Sequence, residues 1–126
     1  MENLIITSTK STPEIDFNTK TGILSIKGQS YPENSFSFYK PVISWIKEFL
    51  DSENSSKISV ILEIKYMNTS STKSMMNIMD MFEKAHTSGK DISVKWFYDK
   101  ENDSIKEVAD EFKEDVRLPF EIIEKE

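Results

Sequence analysis

The sequence predicts an α/β fold: a mixed β-sheet packed against about three helices, with a β-hairpin near its N-terminal end. Three observations carry that prediction. An apolar run at Ile58–Met67 is followed by a helical pattern and then by a second strand-like run at Ile92–Tyr98, the order of a βαβ unit with parallel strands and a right-handed crossover. Polar and apolar residues alternate over Pro13–Asn18, and an apolar-rich run resumes over Ile23–Gly28, with Thr19-Lys20-Thr21-Gly22 between them as turn chemistry. A length of 126 residues fits one domain over residues 1–126, able to bury roughly 65–70% of its unfolded surface.

The elements follow in order. Leu4 to Ile6 add a short edge strand before the hairpin. Ser30-Tyr31-Pro32-Glu33-Asn34-Ser35 forms a loop ending in an N-cap at Asn34 or Ser35. Phe36, Tyr39, Val42, Ile43, Ile46, Phe49 and Leu50 then recur at helical spacing, and the helix ends near Asp51. Pro41 is tolerated if that helix properly begins near it, in the first turn. A polar connector, Asp51–Ser56, leads into Ile58–Met67, whose almost continuous apolar centre suggests a strand buried on both faces. The second helix gathers Met75, Ile78, Met79, Phe82, Ala85 and His86 on one arc and stops around Ser88-Gly89. After the strand at Ile92–Tyr98, Asp103 or Ser104 caps a third helix bearing Ile105, Val108, Ala109 and Phe112, and Leu118–Ile123 reads as a last strand.

Composition excludes several functions. With 37% hydrophobic, 11% aromatic and 30% charged residues, the chain is too rich in core formers for disorder and too charged for membrane insertion. Met1–Thr7 carries an acid where a secretory signal wants a base, so a cytoplasmic location is expected. Without cysteine there is no disulfide, thiolate chemistry or cysteine metal site. A net charge of −6, with bases interspersed among acids, argues against nucleic acid and for protein partners. The glycines, Gly22, Gly28 and Gly89, are too few and too scattered for a phosphate-cradling loop. The single histidine, His86, falls on the apolar arc, and no nucleophile elbow surrounds any serine. No catalytic residue, metal ligand or cofactor is therefore assigned. The acidic run from Asp99 to Asp115 is read as a solvated helix face.

The informative segment is the junction Asn68-Thr69-Ser70-Ser71-Thr72-Lys73-Ser74, where five hydroxyls crowd the step from strand to helix. The first N–H groups of a helix lack internal acceptors, so a hydroxyl there can cap them and an added phosphate would sit in favourable potential. In open sheets with crossover helices, sites gather beyond the carboxyl ends of strands. Two readings stand: Ser70 or Ser71 caps the helix and the rest are solvated, or the cluster is a phosphorylation switch. Lys65 and Lys73 flank it and would either steady a phosphate or pair with partner carboxylates. Met75 and Met79 suit the core, while Met76 and Met81 extend round the helix towards a surface a partner could use. Trp45, at the margin of its helix's apolar arc, is open to either core packing or partner contact; Trp96 is read as packing.

Three segments, with Ser11-Thr12-Pro13 near the start, carry a resemblance spanning nearly the full chain: Ser30-Tyr31-Pro32-Glu33-Asn34-Ser35, then Tyr66-Met67-Asn68-Thr69-Ser70-Ser71 with Met75-Met76, and Trp96-Phe97-Tyr98-Asp99. In order and spacing they resemble the SiaC family of bacterial regulatory phosphoproteins. The resemblance implies a fold similar to the STAS-like anti-anti-sigma domains and a role in partner switching. It implies a threonine, Thr69 by position, phosphorylated by a dedicated Ser/Thr kinase and dephosphorylated by a PP2C-type phosphatase; Ser70, Ser71 and Thr72 offer neighbouring hydroxyls. It further implies that the unmodified protein binds and activates a diguanylate cyclase, promoting cyclic-di-GMP synthesis and biofilm regulation, and that phosphorylation abolishes that contact. The switch and partner surface is then expected at Asn68, Thr69, Ser70, Ser71, Lys73 and Met76. An anti-anti-sigma factor acting on an anti-sigma kinase would use the same fold and phosphosite region, and is the second reading.

Overall fold

The computed structural model describes residues 1–125, the side chain of Asn54 excepted. Its strands are β1 (Leu4–Ile6), β2 (Glu14–Phe17), β3 (Ile23–Ser30), β4 (Lys57–Met67), β5 (Asp91–Asp99) and β6 (Phe120–Lys125). Helices α1 (Ser35–Leu50), α2 (Thr69–Thr87) and α3 (Asp103–Glu114) connect β3 to β4, β4 to β5 and β5 to β6. The strands lie side by side in chain order, antiparallel from β1 to β3 and parallel from β3 to β6. The expected mixed sheet, hairpin and three helices are all present.

Each crossover advances one strand in the same direction, so right-handed connections bring all three helices to one face of the sheet. Burial agrees. Leu24, Val60 and Val94 are paired across β3, β4 and β5 and fully buried, as are Ile26, Leu62 and Trp96. Their neighbours facing the other way, Ser25, Ser59, Ile61, Glu63, Ser93 and Lys95, are half-buried or exposed. The expectation that β4 is buried on both faces is therefore corrected: it is an alternating strand with helices on one side only. Ser59 and Glu63, polar interruptions in its apolar run, mark the uncovered face.

At the β2–β3 turn, Asn18 Oδ1 accepts from the N–H groups of Lys20 and Thr21, and Gly22 closes the turn at φ +71°. A Cβ there would collide with the Lys57 carbonyl oxygen, so only glycine suits both the left-handed backbone and the close approach of β4.

Helix α1 departs from expectation in two ways. It begins at Ser35, which puts Pro41 well inside rather than in the first turn. Proline has no N–H to give the Ser37 carbonyl, but Ser37 and Pro41 both lie on the exposed side, where water can take that role. Second, Phe36 is 73% exposed and Ser35 is buried. Ser35 stands four residues before Tyr39 and so shares the buried stripe of Tyr39, Val42, Ile46 and Phe49; Phe36 is turned about 100° away from it. Trp45 belongs to the core: it stacks on Phe49 at 4.9 Å, packs 5.1 Å from Phe17, and its indole N–H donates to the Glu2 carbonyl at 2.9 Å.

Candidate functional site

The carboxyl ends of β3 and β4 meet where the Asn68 N–H donates to the Ser30 carbonyl at 3.0 Å. All three long helices start along this edge, each capped by an asparagine. Asn34 Oδ1 accepts from the Ser37 N–H at 3.0 Å, Asn68 Oδ1 from the Ser71 N–H at 2.9 Å, and Asn102 Oδ1 from the Ile105 N–H at 3.2 Å. The structure thus chooses Asn34 over Ser35. It replaces Ser70 or Ser71 by Asn68, and Asp103 or Ser104 by Asn102. An amide oxygen one bond further out reaches the third N–H of the helix, which leaves the serines free for other partners. Asn102 also donates through Nδ2 to the Lys65 carbonyl at 3.0 Å, tying the entry of α3 to the end of β4.

With Asn68 as cap, Thr69, Ser70 and Ser71 are the first three residues of α2. Their hydroxyls have different fates. Ser71 is fully buried, within 2.8 Å of Ser30 Oγ and 3.0 Å of Ser35 Oγ. Ser30 Oγ in turn lies 2.7 Å from the Tyr39 hydroxyl, whose pKa is pushed above the usual phenol value by burial, with the Ser30 hydrogen bond opposing. Ser70 Oγ sits 2.8 Å from Ser35 Oγ and donates to Asn68 Oδ1 at 3.3 Å. Thr72 Oγ1 donates back to the Asn68 carbonyl at 3.0 Å. Thr69 is exposed, and among the described residues its hydroxyl has no hydrogen bond. The Ser71 hydroxyl is buried, out of reach of a modifying enzyme unless the first turns of α1 and α2 open.

Thr69, Asn68 and Ser70 line a shallow depression together with Lys73, one turn further along α2. Lys73 is exposed and, among the described residues, makes no ion pair. Lys65 is exposed on β4 but does not line this depression. Met76 is 45% exposed and lies apart from it, in a small cleft against Phe112 of α3. Of the expected residues, Asn68, Thr69, Ser70 and Lys73 are brought together in one depression, and Met76 lies on an adjoining surface.

Nearby aromatic residues were missing from the sequence expectation. Tyr31 and Tyr66 meet edge to face at 6.0 Å, with Tyr66 52% exposed, and exposed Phe36 opens the neighbouring helix. Alternation along β4 would place Tyr66 inward with Ile64, and only the structure shows that the buried alternation stops at Lys65-Tyr66. Among the described residues no cluster of His, Cys, Asp or Glu could hold a metal ion, and no helix is long and apolar enough to cross a membrane. What the arrangement presents is an exposed hydroxyl at a helix N-terminus beside a lysine.

The family model described as SiaC family regulatory phosphoprotein matches residues 6–125. An uncharacterised protein of Pseudomonas aeruginosa strain UCBPP-PA14 is 43% identical over 122 residues, covering 97% of this chain and 96% of the relative. The structure of SiaC of Pseudomonas aeruginosa superposes with a TM-score of 0.92 at 41% identity, covering 99% of this chain and 100% of that one. A chain in the crystal structure of the diguanylate cyclase SiaD in complex with its activator SiaC, also from Pseudomonas aeruginosa, matches with a TM-score of 0.92 at 42% identity, covering 97% and 99% of the two chains. With a family match over nearly its whole length and these relatives end to end, this chain belongs to the SiaC family of regulatory phosphoproteins.

Proposed function

We propose that the protein is a non-enzymatic cytoplasmic switch that, unmodified, binds and activates a diguanylate cyclase, and that phosphorylation of Thr69 turns it off. A cognate Ser/Thr kinase adds the phosphate and a PP2C-type phosphatase removes it. The observation that carries the reading is Thr69 itself: an exposed, unbonded hydroxyl in the first turn of α2, at the sheet edge where the first turns of α1, α2 and α3 gather. The likeness to SiaC, which is crystallised as the activator of the cyclase SiaD, supports the choice of partner.

The energetics say how such a switch must work. A phosphate brings about −1.5 to −2 charges, and its interaction with a helix N-terminus is worth about 0.3–1 kcal/mol, reaching ~2 in favourable geometry. Moving a binding equilibrium from about 1:99 to 99:1 requires about 5.5 kcal/mol. Helix-end stabilisation alone falls short, so Thr69 must lie inside the partner interface, where a dianion adds steric exclusion, desolvation and like-charge repulsion. The modification blocks docking with little refolding.

The test is partner capture with Thr69→Ala and Thr69→Glu. Thr69→Ala is expected to bind and activate the cyclase like the parent and to resist phosphorylation; Thr69→Glu is expected to lose at least about tenfold in affinity, about 1.4 kcal/mol. Parental binding by Thr69→Glu, or a captured anti-sigma kinase in place of a cyclase, would reject this reading.

A further inference from the structure

A continuous groove runs between α1 and α2 on their solvent side. Its upper part, with about 340 Å³ of open volume, is bounded by Phe36, Lys40 and Lys73, and its lower part, with about 560 Å³, by Lys47, Lys84 and Lys90. Ile43 and Asn77 line both parts, so the two are one channel. The floor is apolar, made by Ile43, Leu50, Met81 and Ala85. Lys73, at the upper end, also lines the depression that holds Thr69.

The charge of this channel runs against that of the chain. In a protein of net charge −6, five lysines border the groove and, among the described residues, Asp51 at its lower end is the one acid lining it. Lys40, Lys47, Lys73 and Lys84 are exposed and, among the described residues, unpaired; Lys90 donates to Ser55 Oγ at 2.6 Å. Four exposed lysines stand along the two walls of an apolar trough, and an anionic occupant would be complementary to them.

We infer that the groove is the docking surface for an acidic amphipathic helix of the partner, its apolar side chains on Ile43, Leu50 and Met81 and its carboxylates against the lysine rims. This rests on the reading that the partner docks beside Thr69. The occupant is a helix because the walls are side chains that offer no backbone groups to pair with, so the guest must satisfy its own N–H and C=O groups. Its length follows from α1: the stretch from Phe36 to Asp51 spans about 22 Å, or about four helical turns. A phosphate on Thr69 would draw Lys73 away and place a dianion at the mouth of the groove, repelling that helix.

The test uses the full chain and two synthetic helical peptides of about sixteen residues, both with leucines on one face, one flanked by glutamates and the other by lysines. The glutamate peptide is expected to shift the NMR amide signals of Ile43, Asn77 and Met81. Its affinity should fall at least about tenfold on raising salt to ~0.5 M, and likewise in the double variant Lys47→Glu/Lys84→Glu, whose exposed positions leave the core untouched. Equal binding of the two peptides, or shifts centred elsewhere, would overturn the inference. The same double variant against the diguanylate cyclase separates the two claims. Parental cyclase binding by the double variant, with binding lost in Thr69→Glu, rejects the groove and keeps the switch. Peptide binding in the groove by a chain that activates no cyclase keeps the groove and rejects that partner.

Discussion

Ser35 Oγ, in the first turn of α1, lies 2.8 Å from Ser70 Oγ, in the first turn of α2, so the residue next to Thr69 is held by the neighbouring helix. Behind that contact the buried hydroxyls of Ser71, Ser30 and Tyr39 continue inward to the end of β3. Small side chains let two helix N-termini approach closely, and their hydroxyls satisfy one another where water is excluded. The consequence for the proposed switch is rigidity: the segment carrying Thr69 is held from beneath while Thr69 itself faces out.

Ser71→Ala should destabilise the fold by about 1–3 kcal/mol, because it strips a buried partner from both Ser30 and Ser35 while Thr69 stays accessible. Urea unfolding measures this, and on the proposed switch phosphorylation of Thr69 should persist in the same variant. An unchanged unfolding midpoint would mean that the buried hydroxyls contribute nothing net.

Asn68→Ala removes the acceptor for the Ser71 N–H and for the Ser70 hydroxyl together. A lost cap of this kind costs about 0.5–2 kcal/mol. Asn68→Asp keeps the acceptor and adds a charge that the helix N-terminus favours, so thermal unfolding should rank parent and Asp variant together and the Ala variant below them. An Ala variant as stable as the parent would show that α2 does not depend on this cap.

Most of the fold was legible because hydrophobic period and turn chemistry agree along the chain: the hairpin around Gly22, the βαβ unit and the third helix all follow from them. The misreadings share a cause, in that a strand or helix pattern does not say how many of its sides will be covered. Ile58–Met67 looked doubly buried until the sheet order placed every crossover helix on one face. Phe36 looked like a core residue until Ser35 took the inward position, a hydroxyl whose partners, Ser70 and Ser71, are supplied by α2, 35 and 36 residues away. At the candidate site, the hydroxyl cluster was visible in the sequence, but the division of labour within it was not. That division depends on Asn68 taking the cap, on Ser71 turning inward to Ser30, and on Thr69 being left outside.

Gly22 and Gly89 make a controlled pair, since both have positive φ but differ in surroundings. An added Cβ at Gly22 meets the Lys57 carbonyl, whereas at Gly89 nothing lies within 4 Å. Gly89→Ala should therefore bear only backbone strain, about 1–3 kcal/mol, and Gly22→Ala backbone strain plus displacement of the β3–β4 pairing. Denaturant midpoints for the two variants check this, and equal losses would show that the contact with Lys57 relaxes freely.

Alkaline pH should weaken the fold, and Tyr39 sets the main part of that dependence. Burial holds its pKa above the ordinary phenol value, against a smaller opposing effect of Ser30. Above about pH 10 an unfolded tyrosine releases its proton while the folded one keeps it, so the native state binds more protons and stability falls as pH rises. Lys125, raised by Glu63 and then Asp99, and Lys106, raised by Asp110, act in the same direction. Their stabilisation is complete below the unfolded lysine pKa and is lost as pH climbs through the folded one, but both are surface groups with weak leverage. Tyr39→Phe removes the titrating hydroxyl and leaves the ring packed, so stability plotted between about pH 9.5 and 11.5 should fall less steeply than in the parent, even though the variant loses the Ser30 hydrogen bond at neutral pH. Parallel slopes for the two proteins would show that burial leaves the ionisation of Tyr39 the same in the folded and unfolded states.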